Sequence, residues 1–242
     1  MSASDRRSTL IPLERMPVRD VLRSVDPFTA VSGEELDQLC ASASRVRKMA
    51  GSSILEEGQA PDGLYVILRG RVNLVREGQG RDLILSALGP GDVLGENCAF
   101  ENQGSSTAAI AATPAELIRI PADTLAAHMR RTPETMVSLM RLLTEKLRDI
   151  ENVASSLALY DVEERLRRTL VRLAQRQGRR SPASSEWILA PVPTQSELAR
   201  MVGSCRETVS RTLSAMARSG LVTSSGRRLI LDHRLVDPLA AA

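Results

Sequence analysis

Arg206, Glu207 and Arg211 stand close together in the stretch VGSCRETVSRTLSAM, residues 202–216, and their types suit one kind of chemistry. A guanidinium is a rigid fork of donors and a carboxylate only accepts. Together they can pair with base edges, arginine with N7 and O6 of guanine and glutamate with N4 of cytosine. Val209, Leu213 and Met216 recur at steps of four and three, which puts them on one helix face and leaves the charged residues on another. Hydroxyls on Thr194, Ser204, Thr208 and Ser210 suit phosphate oxygens, contacts that position a protein without reading sequence. The plainer alternative is a solvated Arg–Glu pair on a helix used for protein contact.

Such residues need a frame to hold them. Thr194 stands where a helix N-cap belongs, with Glu197 three residues on, a capping box that opens the helix QSELARMV. Gly203 stops that helix and a second runs from about Arg206 to Ser219; two helices across so short a turn make a helix-turn-helix. GLVTSSGRRLILDH then reads as a two-stranded hairpin turning at Ser225-Gly226, the wing of a winged helix. Upstream, VEERLRRTLVRLAQRQG reads as a helix with Leu166, Leu170 and Leu173 inward, ending at Gly178. RRSPASS follows as a loop and EWILAPV as a short strand.

Earlier in the chain the punctuation changes. Ten of the 15 glycines lie between Gly51 and Gly104, separated by short apolar runs (SSIL, LYVIL, RVNLV, LILSAL, DVLG), the pattern of strands joined by tight turns. No glycine occurs from 105 to 177, and after Pro133 the residues Met136, Met140, Leu143, Leu147, Ile150, Ala154 and Leu157 recur at alternating steps of four and three. A stripe of that period over about three heptads predicts a helix that packs against a partner helix, most simply its own copy in a homodimer. The alternative is a long helix lying on its own domain. The first 20 residues carry little periodic pattern and are expected to be mobile.

Composition sets the limits. At 242 residues and 43% hydrophobic the chain can bury a core, divided over two domains, yet aromatics are only 2% and give little material for stacking single-stranded bases. The net charge of +3 conceals an asymmetry: residues 1–161 hold 18 Lys and Arg against 22 Asp and Glu, residues 162–242 hold 14 Arg against 7 acids. A basic segment behind an acidic one fits a duplex-binding module carried by a module that does not bind DNA. No run approaches 18 apolar residues and MSASDRRSTLIPLERMP lacks the apolar core of a signal peptide, so no membrane partner is expected and the location expected is cytoplasmic. Cys40, Cys98 and Cys205 form no CxxC pair and have no histidine nearby in sequence, which supports neither a disulfide framework nor a metal site. Cys98 reads as a small core residue or a redox-sensitive thiol. With only His128 and His233 besides, no nucleophile–base constellation assembles, and no enzyme is expected.

TQSELARMVGSCRETVSRTLSAMARSGLV resembles the DNA-binding end of the Crp/Fnr family of bacterial transcription regulators, whose recognition helix carries an R-E-T-V-x-R motif, here Arg206 to Arg211. GQAPDGLYVILRGRVNLV and LILSALGPGDVLGE are similar to the family's cyclic-nucleotide-binding β-roll, and the striped helix lies where its dimer helix should. The resemblance implies an α+β fold: a β-roll (jelly roll) effector-type domain over 21–131, a dimerisation helix and hinge over 132–161, and a winged helix-turn-helix over 162–242. It also implies a homodimer on a palindromic site in double-stranded DNA, with Arg206, Glu207 and Arg211 reading bases. The GRRSPASSE loop lies near where family activators touch RNA polymerase.

In nucleotide-responsive members a Gly-Glu pair is followed, ten residues after the Glu, by Arg-Ser/Thr-Ala, the Glu holding the ribose and the Arg the cyclic phosphate. Gly95-Glu96 is present, but the second motif reads Ser106-Thr107-Ala108, hydroxyls without a guanidinium. A charge-assisted bond to an anion is about twice as strong as a neutral one, which argues against a response to cyclic AMP. The family pair that touches the adenine corresponds to Ile150-Glu151, where a buried carboxylate would suit a different base or none. An iron–sulfur sensor needs clustered N-terminal cysteines, and a haem sensor an axial histidine in the β-roll; neither is present. Three readings remain open for the effector: none at all, in a constitutive DNA binder; another nucleotide such as cyclic di-GMP; or an unidentified cofactor.

Overall fold

The computed structural model describes residues 12–240 except 79, 101–103, 182–185 and 227. Two compact units divide within one long helix, at residues 151 and 152.

The first unit opens with helices α1 (Val18–Ser24) and α2 (Gly33–Ser42), continues through strands β1 (Ser44–Lys48), β2 (Ser53–Leu55), β3 (Gly63–Arg69), β4 (Val72–Arg76), β5 (Leu83–Leu88), β6 (Val93–Leu94), β7 (Ala108–Ala111) and β8 (Ala115–Pro121), and closes with α3 (Ala122–Arg131) and the start of α4 (Pro133–Leu159). The strands form two antiparallel four-stranded sheets, β1-β8-β3-β6 and β2-β7-β4-β5. Short apolar runs separated by glycines become these strands because each glycine turn lets the chain reverse between two apolar faces. Six of the seven residues of β3 are buried, so its apolar run faces core on both sides. One cluster, around Ile67, Val72, Ala109, Ala111 and Leu117, fills the space between the sheets. A second joins Leu64, Val66 and Ile118 to Phe28, in the turn after α1, and to Leu36, Leu125, Met129 and Leu139 of the surrounding helices.

Residues 12–20 differ from the expected patternless tail, while 1–11 lie outside the described residues. Leu13, Met16 and Val18 pack on the second cluster, and Arg45 donates to the carbonyls of Glu14 at 2.9 Å and Met16 at 2.6 Å. Three apolar side chains at irregular spacing escape a search for period, yet they suffice to seat the segment.

In the second unit α5 (Val162–Gln177), β9 (Arg179–Arg180), β10 (Trp187–Leu189), α6 (Gln195–Met201), α7 (Arg206–Arg218), β11 (Val222–Ser225), β12 (Arg228–Leu231) and α8 (His233–Ala240) build a winged helix-turn-helix on a sheet ordered β11-β12-β10-β9. Leu166, Leu170 and Leu173 of α5 are buried, as their spacing predicts. Arg179 and Arg180, expected in a loop, pair with Trp187 and Ile188. The rest of that loop, 182–185, where the polymerase contact was expected, lies outside the described residues. Ser225 is still paired, with Arg228, so the wing turns after it, later than the expected Ser225-Gly226. Helix α8 had no forewarning in the sequence: its Leu235 and Val236 are buried, but two apolar positions are too few to define a period.

Candidate functional site

Helices α6 and α7 are set by local chemistry. The Thr194 hydroxyl accepts from the Glu197 N–H at 3.2 Å while Glu197 Oε2 accepts from the Thr194 N–H at 2.8 Å, completing the capping box. Gly203 has φ 60°, the left-handed setting that ends α6 and turns the chain into α7. Val209 and Met216 are buried against the unit's core, which fixes the rotation of α7 and leaves Arg206, Glu207 and Arg211 exposed at its first turns. Glu207 is held below the usual carboxylate range, first by a bond from its own backbone N–H, then by Cys205, with the Arg206 and Arg211 charges assisting. It therefore presents an anionic acceptor beside two guanidinium donors. Ser204, Thr208 and Ser210 are half-buried around this end, and Thr208 Oγ1 lies 3.1 Å from the exposed Cys205 Sγ. The Thr194 hydroxyl also donates to Glu197 Oε2 at 3.0 Å, so capping already engages it.

In the first unit Gly95 turns with φ 83°, and a Cβ there would lie 2.4 Å from the Gly63 carbonyl. Only glycine lets the chain pass so close to β3 and project Glu96 from the short helical turn that follows. Lys146 of α4 reaches Glu96: its Nζ lies 2.8 Å from Glu96 Oε2 and donates to the Val93 carbonyl at 3.0 Å. The contact to Glu96 is an ion pair without hydrogen-bond alignment, so Oε2 is buried yet accepts no hydrogen bond from a described residue. Sequence reasoning missed Lys146. Its position, seven residues after Leu139 and four after Leu142, places it on the face of α4 that packs on the β-roll, a spacing that could have found it.

Ser106 and Thr107 lead into β7, with Ala108 its first, buried residue. Gly58 donates to the Ser105 carbonyl and Ser105 to the Gln59 carbonyl, each at 2.8 Å, which ties this segment to the turn after β2. Ile150 and Glu151 are exposed among the described residues of the protomer, so the expected buried carboxylate is not found in a single chain. Cys98 is half-buried beside the second cluster, and burial, with the Glu96 charge, pushes its thiol up to about 12. That environment belongs to a core residue, not a thiolate sensor.

On α4 the faces separate. Thr135 and Leu139 are buried, whereas Met136, Met140, Leu147 and Ile150 are between 39% and 56% exposed. Leu143 and Leu157 are partly covered and Ala154 is exposed, so the expected stripe lies open along the helix.

A β-roll carrying a Gly-Glu turn, followed by a winged helix-turn-helix with an arginine-bearing second helix, defines a class of DNA-binding regulator, and comparison with known proteins agrees. A family model for the cyclic nucleotide-binding domain matches residues 45–132, and one for the Crp-like helix-turn-helix domain matches residues 164–235. The cAMP-activated global transcriptional regulator Vfr of Pseudomonas aeruginosa is 30% identical over 203 residues, covering 82% of this chain and 94% of Vfr. The CRP-like cAMP-activated global transcriptional regulator of Mycobacterium tuberculosis is 28% identical over 214 residues, covering 88% of this chain and 95% of that protein. Among solved structures, the c-di-GMP responsive global regulator CLP of Xanthomonas campestris superposes with a TM-score of 0.69 at 26% identity, over 83% of this chain and 99% of CLP. The chain belongs to the Crp/Fnr family of transcription regulators. Vfr and the Mycobacterium tuberculosis protein are named as transcriptional regulators, and no helix among the described residues is long and apolar enough to cross a membrane.

Proposed function

We propose that the chain acts as a homodimer that reads a two-fold symmetric DNA site with α7 and responds to a nucleotide bound between the β-roll and α4. The observation that carries the first part is the arrangement of α7: Val209 and Met216 buried, with Arg206, Glu207 and Arg211 exposed together at its N-terminal end. The N-terminal end of a recognition helix enters the major groove first, so these groups meet base edges there. The open apolar stripe of α4 supports the dimer, and two copies of α7 must then stand roughly 34 Å apart to enter successive major grooves together.

For the effector, Glu96 accepts a ligand hydroxyl, and Lys146 couples that event to α4 because it already pairs with Glu96. A ligand that changes this pair repacks α4 and shifts the population of the DNA-reading arrangement. The structure of the hinge segment suits the transmission: Asp161 caps α5 by accepting from the Glu164 N–H at 2.9 Å, and the Arg168 guanidinium lies 3.9 Å over the Tyr160 ring. Relatives named for cAMP and for c-di-GMP support a nucleotide as the ligand class.

The test is fluorescence anisotropy of a labelled symmetric duplex, selected from a random library, titrated at fixed salt with and without cyclic AMP, cyclic GMP and cyclic di-GMP. Affinity that rises at least several-fold with one nucleotide supports both halves. Tight binding unmoved by every nucleotide retires the effector half and favours the constitutive reading. Failure to bind any duplex sequence-specifically refutes the DNA-reading half.

A further inference from the structure

Where the family resemblance implies an arginine, this chain has Ser106, and a guanidinium from another strand reaches that residue's carbonyl. Strand β4 alternates Val72, Leu74 and Arg76 onto one face. Val72 belongs to the cluster between the sheets and Leu74 packs against it, so Arg76 shares the inward-facing side. On β7, Ala109 and Ala111 belong to the same cluster, which gives Thr107 that side too. The register sets Val75 opposite Ala108, so Arg76 is level with Thr107 at the end of the ladder. From there its NH1 donates to the Ser106 carbonyl and pairs with Glu57 Oε1 at 2.9 Å.

The arrangement puts one formal positive charge beside two hydroxyl-bearing residues that have none. Arg76 is 54% exposed and Glu57 29%. An ion pair that open to water is weak and readily exchanged for a better anion. Glu57 is anchored in turn, accepting from the Glu77 N–H at 3.3 Å, so it can keep the guanidinium beside Ser106 until a ligand arrives.

We propose that Arg76 is the phosphate-binding cation of the effector site, and that the ligand is a nucleotide carrying a phosphodiester. The phosphate exchanges with Glu57 on the guanidinium and takes further hydrogen bonds from the Ser106 and Thr107 hydroxyls. A planar fork presents two parallel donors to two phosphate oxygens, which lysine cannot do. This inference rests on the effector half of the proposed function and assigns its anion site to a residue of β4.

The experiment is isothermal titration calorimetry of the full chain with cyclic AMP, cyclic GMP and cyclic di-GMP, beside adenosine and inorganic phosphate. The expected result is that one of the three nucleotides binds while adenosine and inorganic phosphate bind at least tenfold more weakly. Arg76→Ala then weakens that nucleotide at least tenfold, Arg76→Lys restores part of the loss, and Glu57→Gln, which frees the guanidinium, tightens binding. Thermal unfolding of each variant checks that it folds, and the Lys and Gln variants keep the test intact should the Ala variant fail. Equal binding by wild type and Arg76→Ala, equal binding of adenosine and the nucleotide, or no nucleotide binding by the wild type would overturn the proposal. Duplex titration of the same wild-type preparation separates the two readings: sequence-specific DNA binding without any nucleotide binding sinks the anion site and leaves the DNA reader standing.

Discussion

Arg206 shows what a single side chain contributes here. Its guanidinium is exposed at the start of α7, and a bidentate guanine contact accounts for about 1–3 kcal/mol of discrimination. Arg206→Ala is therefore expected to lower specific affinity roughly 5- to 150-fold by that figure, and to relax preference at one base pair, read by competition anisotropy with single-base variants of the site. Gly203 is constrained differently. At φ 60° any β-carbon is strained, so Gly203→Ala should destabilise the second unit by about 1–2 kcal/mol in denaturant unfolding. The cysteines divide by environment: iodoacetamide at neutral pH should modify exposed Cys205, whose thiol a bond to Thr208 holds below its ordinary range, and spare Cys98, held near 12 by burial. Peptide mass spectrometry reads both. Arg206, Glu207 and Arg211, the proposed base readers, were visible in the sequence because their motif lies within one helix. Lys146 and Arg76 were not, because each acts on a residue from a distant part of the chain, Glu96 and Ser106, through packing that no local pattern records.

Among the elements, α2, α3 and α4 are tied together by one buried histidine. His128 Nδ1 lies 3.0 Å from Glu35 Oε2 and its Nε2 lies 2.9 Å from Thr135 Oγ1, while Arg131 donates to Glu35 Oε1 at 3.1 Å. Both His128 and Thr135 are only 1% exposed, so a lost partner is not replaced by water. Thr135→Val should destabilise the first unit by about 1–3 kcal/mol, the penalty of an orphaned buried polar group, measured by chemical denaturation. The Arg131 and His128 contacts hold Glu35 below its ordinary pKa. A depressed carboxylate stabilises the fold fully above its unfolded value of about 4.3, and that stability is lost as pH falls through the folded value. Glu35→Gln should flatten this acid limb in a pH series of thermal melts. The long elements were readable in advance: α4 by its stripe, α5 by Leu166, Leu170 and Leu173, α6 by its capping box. The two-residue strand β9 and the short α8 were not, since their existence depends on Trp187 and on the core that covers Leu235 and Val236.

For the molecule as a whole, the acidic segment 1–161 and the arginine-rich segment 162–242 match a module that carries and a module that binds a polyanion. Met136, Met140, Leu147 and Ile150 form an apolar face that the single protomer leaves open, and a second α4 covers it in the proposed dimer. Leu147→Glu buries a charge in that seam and should leave a monomer by analytical ultracentrifugation, with symmetric-site affinity falling to that of one half-site. The most direct measurement of paired DNA reading is the affinity of the wild-type chain for symmetric duplexes whose half-sites are set one helical turn apart, roughly 34 Å, or moved by a further half turn. A dimer with two reading helices binds the first tightly as two chains and loses at least tenfold on the second. Equal affinity for both spacings, or for an isolated half-site, would contradict paired reading by a dimer.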